Sequence, residues 1–97
     1  MNIVYIINQL RRSGPVIVLY DIIRNLDRAR FTPIIARLME DDPDRTMTQA
    51  FIAMGVEVIP LQYSFYDLEL KTAKVAHSLD QLLASRRVGI IHTHGYH

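Results

Sequence analysis

The sequence contains no cysteine, which removes disulfides, zinc ribbons and thiolate catalysis together and fits a reducing compartment. Glycine is scarce, with only four, at positions 14, 55, 89 and 95. Neither the G-x-G-x-x-G dinucleotide fingerprint nor a Walker A loop can be written with that spacing, so nicotinamide binding and ATP hydrolysis lose their usual phosphate cradle. Neither sign of charge prevails: eleven Lys plus Arg against ten Asp plus Glu leave a formal charge of +1. No net field therefore draws the chain to nucleic acid or to an anionic membrane, and any ligand must be recognised locally. No run approaches about 18 apolar residues, and the first residues lack the basic start and long apolar stretch of a signal peptide. A soluble, cytoplasmic chain is the expectation. Peripheral membrane contact through an amphipathic face stays open, because it needs no spanning segment.

What remains is a chain of 97 residues, 49% hydrophobic, long enough for one small domain with a modest core and too short for two. Asn2 to Ile7 is almost uninterruptedly apolar and β-branched, the pattern of a strand buried on both faces in the middle of a parallel sheet. After a loop from Asn8 to Gly14, Val16, Leu19, Tyr20, Ile23 and Leu26 recur at helical spacing. Ser13 or Gly14 serves as N-cap there, and Pro15 sits in the first turn, where a missing N–H costs nothing. Phe31 to Met39 returns to strand character, with Pro33 near its beginning because proline cannot donate to a ladder. Asp42 and Pro43 announce a second helix with Met47, Ala50, Phe51 and Met54 on one face and Gly55 at its end. Val56 to Ile59 reads as a third strand and Pro60 to Tyr66 as an aromatic-rich loop. Asp67 caps a third helix with Leu68, Val75, Leu79, Leu82 and Leu83 inward, closed by Arg86 and Arg87 against the negative end of its dipole. A fourth strand runs from Val88 to His92.

This βαβαβαβ order demands an α/β fold: an open parallel sheet, right-handed crossovers and helices on both faces. No repeat, low-complexity segment or Pro/Gly/Ser linker divides it. With no covering helix after the fourth strand, the sheet is expected to have an exposed flank. That suggests a domain truncated after its fourth strand and a chain that self-associates through that edge.

Ligands of open α/β sheets bind outside the carboxyl ends of the strands. Four segments lie there: Asn8 to Gly14, Glu40 to Asp44, Leu61 to Tyr66 and His92 to His97. The first presents backbone N–H groups and the positive end of a helix dipole to whatever lies above it, a place that suits a diphosphate. The plainer alternative is that Gly14 eases a tight turn and that Arg11 and Arg12 are solvated. The last segment gathers His92, His94 and His97, three of the four histidines, with His92 and His94 on one face by strand alternation. Hydrogen bonding to sugar or phosphate, general-base work and metal coordination compete there, against a packing role for His92. Metal is the least favoured, because no carboxylate or further histidine is placed to finish a site and His77 lies mid-helix. Tyr63, Phe65 and Tyr66 offer stacking faces or core cover, and the run Glu40, Asp41, Asp42 and Asp44 is most simply a solvated loop holding a helix cap.

The opening Ile3-Val-Tyr-Ile-Ile-Asn-Gln-Leu-Arg-Arg-Ser-Gly14 and the closing Val88-Gly-Ile-Ile-His-Thr-His-Gly-Tyr96, with an apolar helix after the first, resemble the amino-terminal, Rossmann-like domain of GT-B glycosyltransferases. More narrowly, they resemble the retaining group 1 type. The resemblance runs the length of the chain. It implies that residues 1–97 form the first part of an acceptor-side domain, with the rest of that domain and a donor-binding domain elsewhere. It also implies transfer of a sugar from a nucleotide-sugar donor to an acceptor hydroxyl with retention, without metal or other cofactor, and no activity for these residues alone. The family's first glycine loop matches Ser13-Gly14-Pro15-Val16, and its cleft-bordering histidine stretch matches His92 and His94. The resemblance therefore makes Ser13, Gly14, His94 and Gly95 the substrate-contacting candidates and places no secure catalytic residue within the chain. The alternative is a non-catalytic doubly wound binding module, since fold alone does not name a function.

Overall fold

The computed structural model describes residues 1–39, 43–63 and 72–93. Along them run β1 (Asn2–Ile7), α1 (Gly14–Arg24), β2 (Thr32–Met39), α2 (Thr48–Ala53), β3 (Glu57–Tyr63), α3 (Thr72–Ser85) and β4 (Val88–Thr93). The four strands form one sheet in the order β3-β2-β1-β4, and every neighbouring pair is parallel. This is the expected α/β architecture, a Rossmann-like open sheet.

Alternation along β1 divides the core in two. Ile3, Tyr5 and Ile7 pack on one face with Val16, Leu19 and Ile23 of α1 and Phe51 of α2. Val4 and Ile6 face the other way, with Ile34, Ala36 and Leu38 of β2, and against this cluster lie Leu79, Leu82 and Leu83 of α3. The chain therefore steps outward from β1 to β3 with α1 and α2 on one face. It then crosses back past β2 and β1 with α3 on the other, the distribution that right-handed crossovers require. Among the described residues no buried polar or charged residue interrupts this core.

Several boundaries differ from the sequence expectation. The second helix begins only at Thr48, since 43–45 form a turn and the Thr46 hydroxyl accepts the Thr48 N–H at 3.1 Å. Asp42 lies outside the described residues. The third strand does not stop at Ile59 but continues to Tyr63 through Pro60, which a strand tolerates when it pairs on one side only, as β3 does among the described residues. Phe65, Tyr66, Asp67 and Leu68 lie outside the described residues. The fourth strand runs on past His92 to Thr93 and is the edge of the described sheet, with Ile90 42% and Ile91 53% exposed, as the expected open flank requires. No helix among the described residues is long and apolar enough to cross a membrane.

Candidate functional site

The strand order reverses at β1. Successive strands β1, β2 and β3 move one way and β4 returns to the opposite side of β1, so the topological switch point lies between β1 and β4. Ile6 is level with Thr93 in the register, which brings the carboxyl ends of these two strands together. The β1–α1 loop rises from this point.

That loop is held rather than loose. Leu10 is fully buried and belongs to the α1-side core. The Asn8 carbonyl accepts the Met39 N–H, the Leu10 carbonyl accepts the Met47 N–H, and the Arg12 N–H reaches the Arg45 carbonyl, each at 2.8 Å. Together with the antiparallel bridge of Arg11 to Thr46, the last two bonds make a short two-stranded ribbon from the β1–α1 loop and the segment leading into α2.

Ser13 takes the N-cap position of α1 in extended conformation, with no hydrogen bond from its side chain to the helix. The expected capping position is thus correct, while the hydroxyl remains unspent on it. Pro15 supplies no donor, and the first-turn N–H groups of Gly14 and Val16 have no acceptor within the helix. Gly14 does not make a left-handed turn: it lies inside the helix, and Gly55 has the only positive-φ glycine backbone among the described residues. What favours glycine there is Pro15, whose Cδ crowds a preceding Cβ in helical conformation. An ideal Cβ on Gly14 meets no other atom within 4 Å, so the space in front of it is open.

A cavity of about 210 Å³ opens at this helix start, lined by Asn8, Gln9, Arg11, Ser13, Pro15 and Val16 over the end of β1. The Asn8 Oδ1 is enclosed and has no hydrogen-bond partner, an acceptor of the kind that a buried polar group rarely leaves unmet. A second cavity, of about 510 Å³, is lined in part by Arg11, Arg12, Asp44, Arg45 and Thr46. Arg11 borders both.

No family model matches the chain, and neither does any curated protein or any solved structure. The site is therefore read from its own atoms.

Of the residues singled out from sequence, Ser13 and Gly14 stand at the start of α1, and Ser13 lines the smaller cavity. His94 and Gly95, with His97, lie outside the described residues. His92 is exposed on β4, its ring centroid 5.2 Å from that of Tyr5, its register partner. Tyr5 itself is buried, and desolvation holds its phenol above the usual tyrosine range. His77 is exposed on α3. Sequence reasoning passed over Asn8 and Arg45. Asn8 carries a local signal, since a polar side chain directly after a buried strand marks a carboxyl-end position. Arg45 carries none, because its place depends on pairing with a loop more than thirty residues earlier.

Proposed function

We propose that this chain forms one wall of a glycosyl-transfer site, as the acceptor-side half of a GT-B type enzyme that moves a sugar from a nucleotide sugar to an acceptor hydroxyl. The observation that carries the reading is the pairing of opposite hydrogen-bonding needs in the cavity at the switch point. The Asn8 Oδ1, shielded and without a partner, meets a donor once its side chain turns toward the cavity, while the N–H groups at the start of α1 ask for an acceptor, preferably an anion. A sugar phosphate answers both, its hydroxyl donating to Asn8 and its phosphate oxygens accepting at Gly14 and Val16. Ser13 adds a hydroxyl able to do either. Donors fixed at the start of a helix would stabilise the charge that develops on a departing diphosphate. In this reading His94 and Gly95 border the same cleft and the remaining groups come from a facing domain.

Titration of the isotope-labelled chain with a panel of nucleotide sugars tests it, followed by turnover assays on the gene's whole product. The expected result is saturable shifts of the Asn8, Ser13, Gly14 and Val16 amides, weakened about tenfold or more by Asn8→Ala, and release of nucleoside diphosphate by the whole product. Absence of both binding and release across the panel would leave the non-catalytic binding module as the better reading.

A further inference from the structure

The larger cavity is lined by both strands of the ribbon and by Met47 and Ala50 beyond it, and its lining is unusual for so nearly neutral a chain. Among the described residues three arginines, Arg11, Arg12 and Arg45, and one carboxylate, Asp44, line it, a net charge of +2 for the described lining. The ribbon's hydrogen bonds fix why they converge. With Arg11 opposite Thr46 and the Arg12 N–H bonded to the Arg45 carbonyl at 2.8 Å, Arg12 comes directly across from Arg45. Two like charges facing one another on adjacent strands oppose pairing. Neither Arg11 nor Arg12 makes an ion pair among the described residues, so no described carboxylate holds their guanidinium donors.

We propose that this groove is a binding site for a small phosphate monoester, held by Arg11, Arg12 and Arg45. Three features select that chemistry. A phosphate monoester carries a charge of about −1.5 to −2 at neutral pH, matching the lining, whereas a carboxylate carries half as much. Its three terminal oxygens suit several guanidinium forks at once, the geometry in which arginine exceeds lysine. The volume, about 510 Å³, falls in the range of small-molecule sites, and a chain with a formal charge of +1 lacks the extended basic field that a nucleic acid polymer requires. Asp44 turns away a second anion and gives a hydroxyl of the ester's organic part an acceptor. The site goes beyond the transferase reading and does not depend on it, since Arg12 and Arg45 line the larger cavity and not the one that reading uses.

The test is an NMR titration of the whole chain with glucose 1-phosphate, with glucose and glucuronate as neutral and carboxylate controls. Saturable shifts are expected at Arg11, Arg12, Arg45 and Thr46, with glucose giving none and glucuronate binding at least about tenfold more weakly. Affinity falls when ionic strength rises from about 0.05 M to about 0.5 M, and again as pH drops below about 6, where the ester takes up its second proton. Arg12→Gln and Arg45→Gln each weaken binding by about tenfold or more, whereas Arg24→Gln, on the far end of α1, does not. Dispersed spectra of the variants establish that they are folded, and Arg12→Lys recovers only part of the affinity. No shift at Arg12, Arg45 and Thr46 (shifts confined to Asn8, Ser13, Gly14 and Val16 belong to the other cavity), equal binding of glucose, equal loss in Arg24→Gln, or no saturation at about 10 mM ester would each overturn the proposal.

Discussion

Gly55 offers the sharpest check on how the fold is held. It follows α2 with a φ of +79°, and the turn around it has both bonds of a Schellman cap: the Gly55 N–H to the Ile52 carbonyl at 2.9 Å and the Val56 N–H to the Phe51 carbonyl at 3.2 Å. The Arg28 guanidinium adds a bond to the Met54 carbonyl at 3.0 Å and another to the Gly55 carbonyl at 3.1 Å. An added Cβ would meet only Arg28 Nη2, at 3.5 Å, an ordinary contact, so Gly55→Ala tests backbone conformation without a clash. A left-handed L-residue costs roughly 1–2 kcal/mol. The stiffer unfolded chain offsets roughly 0.4–1 kcal/mol of that, which leaves a net loss of about 1 kcal/mol. For a domain of this size Tm falls by about 4–8 °C. Gly55→Asn loses less than half as much, because Asn tolerates that region. Thermal and urea denaturation followed by circular dichroism measure both. Because Gly55 lies at the amino end of β3, away from both cavities, glucose 1-phosphate affinity stays unchanged. A neutral or stabilising Gly55→Ala, or an Asn variant as unstable as the Ala variant, would refute the reasoning.

Phe51, fully buried and edge-on to Tyr20 at 5.6 Å, is the anchor of α2; Phe51→Ala costs about 3–5 kcal/mol in urea unfolding, and a double-mutant cycle of Tyr20→Leu with Phe51→Leu gives a coupling of about 0.5–1.5 kcal/mol. Desolvation raises the Tyr5 phenol, so the unfolded chain releases that proton first. Stability therefore falls as pH rises through about 10, the unfolded value, and Tyr5→Phe flattens the decline; parallel pH–stability curves for the two proteins would exclude it. β4 carries no charge and no proline, and exposes Ile90 and Ile91 on opposite faces, so the chain is expected to self-associate through this edge; Ile91→Lys lowers the sedimentation coefficient at high concentration, and a wild-type chain that is already monomeric there contradicts the idea.

Local pattern carried most of the fold. β1 was legible residue by residue because a strand covered on both faces is apolar at every position, and α1 because Val16, Leu19 and Ile23 are its buried stripe. Where reading failed, the deciding fact was not local. Pro60 looks like a strand's end, and only the knowledge that β3 has a single neighbour lets the strand continue through it. At the site, the start of α1 followed from sequence, which left Ser13 and Gly14 as the two capping positions, and the structure takes Ser13. The arginine groove did not, because Arg12 and Arg45 meet only through the pairing of two loops.

The scarcity of glycine and the presence of that groove belong together. A glycine-rich loop binds phosphate by turning several backbone N–H groups inward, and a chain with four scattered glycines has no such loop to turn. Around the β1–α1 loop several backbone groups are spent instead on fixing the ribbon, at Asn8, Leu10 and Arg12, and a fully buried Leu10 ties it to the core. A loop whose backbone is held in this way can aim side chains. A guanidinium on a fixed ribbon loses less freedom on binding than one on a mobile loop, so more of its interaction appears as affinity. Rigid backbone with arginine tips is thus a physically distinct route to phosphate from flexible glycine with N–H tips. It predicts its own signature: affinity that depends on particular side chains and on salt, and that survives Gly14→Ala.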